Sequence, residues 1–143
     1  MVNLGPVEKI YEAWTAIVDN RVKEIDPNTY VVKSSDGKKE YVVKCNNLTY
    51  SSNDNATYWR GYPGYPVMAV MMIQGYLPLN EEEAEKFRDI NWKLINTRYK
   101  NNYRAAFEEI CKEKKIDIEK AESAANDVMD VLRKLPIEIK RKI

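Results

Sequence analysis

The most hydrophobic segment of the chain, Val67–Ile73, constrains the fold more than any other feature of the sequence. All of its side chains are apolar, and exposing such a run to water costs free energy in proportion to its apolar area. Pro66 before the segment favours a helix start, and Gly75 after it favours a helix end. The segment therefore predicts a short buried helix that is apolar on every side, with a buried strand as the alternative.

Size and composition indicate a single domain that covers residues 1–143. Of the 143 residues, 44% are hydrophobic and 31% are charged, and a chain of this length buries a sufficient core without disulfides or metals. No apolar run approaches the roughly 18 residues of a membrane helix, and no signal-peptide pattern follows Met1. We therefore expect a cytoplasmic protein that does not associate with membranes.

The absence of histidine from the sequence narrows the possible chemistry. Histidine is the commonest general base and the commonest metal ligand in proteins. Cys45 and Cys111 lie far apart and form no Cys-x-x-Cys motif, so we predict no metal site and no cofactor. The sequence also has no Gly-x-Ser-x-Gly elbow and no phosphate-binding glycine loop. A non-catalytic protein is the favoured interpretation, although a histidine-free enzyme remains an alternative.

The first half of the chain predicts a helix followed by antiparallel strands. Apolar side chains recur at helical spacing over residues 6–19, which indicates one amphipathic helix. A meander of three strands is predicted over residues 21–45, with a hairpin turn at Ser34–Gly37. The polar segment that follows contains one short extended piece at Leu48–Tyr50. The strand-rich region as a whole is 21–57.

The second half of the chain predicts helices. Asn80 and Glu83 have the spacing of a capping box, and a long helix is predicted over residues 81–114. This helix either contacts two neighbours or breaks near Asn101–Asn102, because asparagine is unfavourable inside helices. A last helix, capped by Asp117, has apolar residues spaced by three and four. This spacing is typical of a helix packed in a closed core or in a homodimer.

The predicted fold class is therefore α+β. Its parts are an N-terminal helix, a three-stranded antiparallel meander, a buried short central helix and a C-terminal helical hairpin. The helical region is 66–135, and a basic tail follows at 136–143.

An aromatic loop rich in glycine and proline, residues 58–65, precedes the buried segment. Tyrosine and tryptophan rings offer rigid contact area, and an arginine offers a planar group that binds carboxylates or phosphates. The alternative is that the rings cover the core and the arginine pairs with a nearby carboxylate. The candidate ligand-binding or partner-binding residues are Tyr58, Trp59, Arg60, Tyr62 and Tyr65.

Two basic groups are candidates for binding nucleic acid. One group is predicted to form a ridge on the long helix, and the other lies in the tail. A basic ridge beside aromatic residues is typical of weak nucleic-acid binding. The alternative is a solvated helix face, since the net charge of the chain is only +1. The candidate residues are Lys93, Lys100, Arg104, Lys140, Arg141 and Lys142.

These observations support three hypotheses of function. The first is a small cytoplasmic binding or assembly module that uses residues 58–65 to bind a ligand or a protein partner, with a homodimer through the helical half as a form of self-association. The second is weak nucleic-acid binding through the basic ridge and the tail. The third is a histidine-free enzyme with a pocket around Arg60 and neighbouring tyrosines.

Overall fold

The computed structural model describes residues 4–143 as an α+β fold, which confirms the predicted class. The elements in chain order are α1 (Lys9–Val18), β1 (Val22–Asp26), β2 (Thr29–Lys33), β3 (Glu40–Asn46), β4 (Thr49–Ser52), a π-helical turn (Ala56–Arg60), α2 (Tyr65–Gln74), α3 (Glu81–Glu85), α4 (Trp92–Arg98), α5 (Tyr103–Lys114), α6 (Ile118–Lys134) and β5 (Glu138–Ile139).

The sheet has five strands in the described residues, two more than the predicted meander. Its strands lie in sequence order; β1 to β4 are antiparallel, and β5 runs parallel to β4. The short extended piece predicted at Leu48–Tyr50 is part of β4, which pairs with β3. The tail adds β5 because the Glu138 amide donates to the Leu48 carbonyl and the Lys140 amide donates to the Tyr50 carbonyl.

The two faces of the sheet differ because successive side chains in a strand point to opposite sides. One face is covered by α2 and is apolar. The buried side chains on that face are Tyr30, Val32, Val43, Cys45 and Tyr50. The opposite face, called the outer face below, carries the exposed lysines Lys23, Lys33 and Lys44.

The predicted central helix is confirmed as α2, which packs against α1 and against strands β3 and β4. Residues 66–72 are buried. Ile73 is the exception to the expectation that the whole segment is dry, since it is 49% exposed. Gly75 ends the helix with φ of 88°, a left-handed conformation that glycine adopts without steric cost.

The prediction of one long helix over residues 81–114 is wrong, because the chain forms three helices there. The first break follows α3 and was not expected. Asp89 has φ of 59°, and the side chain of Asn91 accepts a hydrogen bond from the Leu94 amide at 3.1 Å. Asn91 therefore starts a new helix instead of continuing the previous one.

The second break lies at the predicted place, Asn101–Asn102. Lys100 and Asn101 have φ of 53° and 63°, which ends α4 in left-handed backbone. The side chain of Asn102 accepts from the Ala105 amide at 3.1 Å and caps α5. Asparagine favours this change of direction because its side chain replaces a helical hydrogen bond at a helix start.

The apolar residues of α6 are buried within the chain. Ala121, Ala125, Val128 and Leu132 are covered, and the helix packs against α1 and α3. In the described residues, the regularly spaced apolar side chains of α6 therefore pack into the core of the same chain. Self-association stays a prediction.

Thr15, fully buried in α1, joins α1 to the segment between α3 and α4. Its hydroxyl is 2.6 Å from the Phe87 carbonyl, to which it donates, and it accepts from the Trp92 indole nitrogen at 2.9 Å. This side chain satisfies two buried polar groups that are more than 70 residues away in sequence. These two hydrogen bonds fix the segment between α3 and α4 against α1.

We predict that Thr15→Val lowers the free energy of unfolding by about 2–4 kcal/mol, because the Phe87 carbonyl and the Trp92 indole nitrogen lose their partner while buried. Thr15→Ser is the matched control. It keeps the hydroxyl and loses one methyl group, at a cost of about 1 kcal/mol. Urea unfolding monitored by tryptophan fluorescence measures both changes. Equal losses for the two variants would contradict this role of the hydroxyl.

Candidate functional site

The five aromatic-loop candidates do not form one surface. Tyr58, Trp59 and Arg60 lie in the π-helical turn, whereas Tyr65 is the first residue of α2. Tyr62 covers Gly5 so closely that a Cβ at Gly5 would overlap the Tyr62 ring. Tyr58 and Tyr65 line two different cavities, so the loop contributes to two separate regions of the surface.

The first region joins the aromatic loop to the basic tail. Arg141 donates to the Tyr58 carbonyl at 3.2 Å. Its guanidinium carbon lies 5.4 Å from the Tyr58 ring centre and 5.3 Å from the Trp59 ring centre. Trp59 is nevertheless 66% exposed. Two groups that the sequence suggested separately, the loop and the tail, thus meet; we call Tyr58, Trp59, Arg60, Arg141 and Lys142 the Trp59 surface.

Arg60 is exposed and forms no hydrogen bond or ion pair with the described residues. It lines neither of the two cavities. The alternative in which Arg60 pairs with a nearby carboxylate is therefore not what the structure contains. The cavity lined by charged and amide side chains includes Tyr65, not Arg60.

The predicted basic ridge on one helix is wrong, because the helix breaks separate its members. Lys93 is in α4, Lys100 is in the following turn, and Arg104 is in α5. Arg104 also pairs with Glu122 at 3.0 Å and with Glu108 at 3.6 Å. Nearby carboxylates therefore compensate its charge. In the tail, the ammonium of Lys140 is 3.9 Å from the carboxylate of Glu138.

The second region is a cavity of about 230 Å³, called the polar cavity below. It lies between α1, the β2–β3 hairpin, the start of α2 and the helix α4 with the turn after it. The hairpin is held against α4 by Ser35, whose hydroxyl accepts from the Lys93 amide at 2.9 Å. The ionisable and amide side chains on which its chemistry depends are Lys9, Glu12, Lys39, Asp54, Lys93 and Asn96.

Glu12 organises one side of the polar cavity. Its Oε2 accepts from Lys9 at 2.9 Å and from the Asn96 amide nitrogen at 3.2 Å. The Lys9 ammonium also lies 4.0 Å from the centre of the Tyr103 ring. Burial acts to lower the pKa of Lys9, but the interactions with Glu12, Tyr103 and Tyr62 together outweigh it, and the net pKa is raised. Lys9 therefore stays protonated beside Glu12.

Asp54 forms another side of the polar cavity and is 6% exposed. Its Oδ2 accepts from the Thr57 amide at 3.1 Å and lies so close to Gly64 that a Cβ there would overlap it. The carboxylate lies beside the N-terminus of α2, where the helix dipole favours negative charge. Its Oδ1 is buried, and no described residue donates a hydrogen bond to it.

Asn96, which is 7% exposed, carries the second unpaired acceptor atom at the polar cavity. Its amide nitrogen is held by Glu12, so exchanging the nitrogen and the oxygen would bring the oxygen against a carboxylate. The orientation is thereby fixed, and Oδ1 is left buried without a donor among residues 4–143. The polar cavity is thus bordered by two buried residues that each lack one hydrogen-bond donor.

The charges around the polar cavity balance in number but not in position. Glu12 pairs with Lys9. Asp36 accepts from the Lys38 amide at 3.0 Å and from the Ser34 hydroxyl at 2.7 Å, and these bonds lower its pKa. No described side-chain cation pairs with Asp54. The result is an uncompensated negative charge at the buried wall.

The complementary positive charges lie at the rim of the polar cavity. Lys39 and Lys93 are both exposed and both border the cavity. Neither forms an ion pair with the described residues. The exposed cations and the buried carboxyl group of Asp54 therefore border the same cavity.

Comparison with known proteins identifies a family. The family described as "Uncharacterised conserved protein UCP014422" matches residues 2–138. The chain belongs to this family. No curated protein and no solved structure matches the chain. From Leu4 to Ile143, no helix is long and apolar enough to cross a membrane, and no three histidine, cysteine or acidic residues are arranged to hold a metal ion.

The remaining titratable groups near the polar cavity of this family member are tyrosines. Tyr41 and Tyr65 meet edge to face with ring centres 6.2 Å apart. Burial raises the pKa of both hydroxyls, although Arg21 acts to lower that of Tyr65. Both tyrosines therefore remain neutral at physiological pH. They can donate or accept hydrogen bonds, but they are not bases.

The two cysteines lie outside the polar cavity. Burial raises the pKa of the Cys45 thiol, and it raises that of Cys111 to about 11. Thiols are nucleophilic only when ionised. Neither cysteine is therefore prepared for nucleophilic chemistry at neutral pH.

Sequence reasoning missed the residues that define the polar cavity. Glu12 lies on the predicted first helix, but a single carboxylate on an amphipathic helix usually faces solvent. Asp54 lies in a polar segment that resembles an ordinary loop. The one available signal was Gly64, because a glycine next to a helix start can mark a close approach of another group to the backbone. Nothing in the sequence indicated which group approaches it.

We predict that Gly64→Ala destabilises the protein by about 1–3 kcal/mol, the usual cost of overpacking a closely packed site. The added methyl group would overlap the Asp54 carboxylate. In an Asp54→Ala background the same substitution should cost less, because the obstructing group is gone. Urea unfolding of the four variants in this double-mutant cycle measures the coupling. An equal cost in both backgrounds would contradict the close approach of these two residues.

We also predict that stability falls as pH rises above 10, because the pKa values of Tyr11, Tyr50 and Tyr65 are raised from 10.0. Below pH 10 both states keep these protons. Above it the unfolded chain releases protons that the folded protein retains, at about 1.4 kcal/mol per tyrosine and pH unit. Urea unfolding between pH 9 and 11 measures the slope, which should be shallower in Tyr50→Phe. An unchanged slope would argue against the burial of Tyr50.

Proposed function

We propose that the protein is a non-catalytic binding module for a small polar molecule with a positively charged N–H donor group, held in the polar cavity. The observation that carries this proposal is Asp54. Its carboxylate is buried, has no cationic side-chain partner and leaves Oδ1 without a donor among the described residues. A buried charge is costly unless it is paired and hydrogen-bonded. A ligand ammonium group supplies both the missing charge and the missing donor.

Asn96 and the rim lysines define the ligand further. The Oδ1 of Asn96 lacks a donor among the described residues, and a second N–H group of the ligand is the proposed donor. Lys39 and Lys93 at the rim favour a ligand whose outer end is anionic. A zwitterion of amino-acid size has both ends. The volume of about 230 Å³ supports a small metabolite, because pockets for drug-sized molecules are roughly 300–1,000 Å³.

The charge state of the polar cavity favours binding over catalysis. A general base works best when its pKa is near the working pH. The pKa of Lys9 is raised and its ammonium is paired with Glu12, and the pKa values of Tyr41 and Tyr65 are raised by burial. All three therefore keep their protons at neutral pH. The same groups are suitable for orienting a polar ligand.

This proposal keeps part of the hypothesis that residues 58–65 form the binding surface. Gly64 and Tyr65 from that segment border the polar cavity. Assembly with a protein partner or with a second copy, and a cytoplasmic location, stay predictions. Nucleic-acid binding through Lys93, Lys100 and Arg104 is less favoured, because Arg104 is paired with Glu108 and Glu122.

The test is thermal unfolding in the presence of a defined panel of small molecules. L-arginine, L-lysine and putrescine carry cationic N–H donors, whereas succinate and phosphate do not. We expect stabilisation by one or more of the first group, by about 2.7 kcal/mol at a concentration of 100 Kd. Calorimetric titration of the best compound then gives its Kd. In Asp54→Asn this affinity should fall at least tenfold, because the variant loses the charge and keeps the shape.

Asp127→Asn is the matched control, since Asp127 is an exposed aspartate on α6. It should leave the affinity unchanged. Stabilisation by succinate or phosphate alone would contradict the proposed charge of the ligand. Equal affinities for the wild type and Asp54→Asn would remove Asp54 from the site.

A further inference from the structure

A groove on the outer face of the sheet, next to the Trp59 surface, is separate from the polar cavity. Its volume is about 250 Å³, and it lies across β3 and β4 under the end of the chain. Lys44, Arg141 and Lys142 contribute to its wall. Among residues 4–143, no aspartate or glutamate side chain lines it. The groove is therefore an open concave surface with three basic side chains in its wall.

Trp59 lies beside this groove with much of its ring available. Arg141 lies 5.3 Å from the ring centre, and Tyr58 meets the ring edge to face at 4.8 Å. These contacts hold the indole in place, yet 66% of the residue is exposed. The other two tryptophans, Trp14 and Trp92, are buried in the core. An exposed indole held by neighbouring side chains is suited to stacking on a planar partner.

The cations around Trp59 are free to bind an anionic partner. Lys44, Arg60 and Lys142 form no ion pair with any described residue. The strand register also places two more lysines on the outer face, Lys23 on β1 and Lys33 on β2. The same register places three acidic residues on that face, Asp26, Glu40 and Glu138. The excess of positive charge is therefore local to the groove, where Lys44, Arg141 and Lys142 lie together.

We infer that the Trp59 surface and the adjoining groove bind single-stranded nucleic acid. Proteins that hold single strands combine a basic groove that follows the phosphates with exposed rings on which bases stack. Both parts are present here in contact with each other. The concave groove fits a chain better than a flat lipid bilayer. Since the net charge is only +1, attraction comes from the cations at the groove, and binding should weaken steeply with salt.

Trp59 also provides the measurement, because it is the exposed tryptophan of the three. A single-stranded oligothymidylate or oligouridylate that stacks on it should quench part of the fluorescence, with a matching rise in the anisotropy of an end-labelled oligonucleotide. Trp59→Ala should weaken binding at low salt about tenfold. Trp59→Phe keeps an aromatic face and should stay within a few-fold of the wild type. Leu94→Ala, which removes an exposed apolar side chain on α4, is the control.

The salt dependence separates the phosphate contacts from the stacking. In a plot of log Kobs against log salt concentration, Lys44→Glu or Arg141→Glu should reduce the slope by about 0.7 for each phosphate that the variant no longer neutralises. Lys120→Glu, a change of an exposed lysine on α6, should leave the slope unchanged. Asp54→Asn should bind oligonucleotides like the wild type, so failure of the polar-cavity proposal is distinguishable from failure of this one.

Three results would overturn the inference. One is the absence of oligonucleotide binding by the full chain at low salt. Another is binding that Trp59→Ala leaves unchanged. The third is binding to phosphatidylserine-containing vesicles without binding to oligonucleotides, which would make the Trp59 surface a lipid-contact site. Trp59→Phe should abolish the fluorescence quenching but keep the rise in oligonucleotide anisotropy. That result would support Trp59 as the ring on which a base stacks.

Discussion

The burial of α2 is the constraint on which the rest of the structure depends. This helix has no polar side over residues 66–72, so it is covered by α1 on one side and by the sheet on another. Its ends then determine where polar groups can lie. At its start, Gly64 meets the carboxylate of Asp54. At its end, Gln74 accepts a hydrogen bond from the buried Tyr50 hydroxyl at 2.7 Å. The polar cavity begins where the apolar helix begins.

The polar cavity and the Trp59 surface differ in physical character although the same loop borders both. In the polar cavity, burial removes water and leaves Asp54 and Asn96 each with an acceptor that no described residue pairs. Such groups discriminate strongly between ligands, because a ligand without the right donor leaves them unpaired. At the Trp59 surface the ring and the cations remain in water. For the proposed single-stranded ligand, salt-dependent contacts that tolerate different sequences are expected there.

Local patterns in the sequence predicted most elements but not all of their limits. Pro66 and Gly75 marked α2, and Ser34–Gly37 marked the hairpin, because these residues act through their own backbone preferences. The break at Asn91 was missed because a single asparagine disfavours a helix interior only weakly, and tertiary packing decides whether the helix continues through it or starts at it. The β5 strand was missed for a related reason. Its two residues form a strand only because the edge of β4 is available.

The sequence by itself determined the fold class, the buried central helix and the absence of histidine chemistry. These follow from composition, from periodicity and from turn and cap residues, which act over a few neighbouring positions. Only the tertiary structure decided the candidate sites. Asn96 reaches Glu12 across 84 positions, and Arg141 reaches Tyr58 across 83. Contacts over such separations depend on how the helices and the sheet pack around α2, and no local pattern records that arrangement.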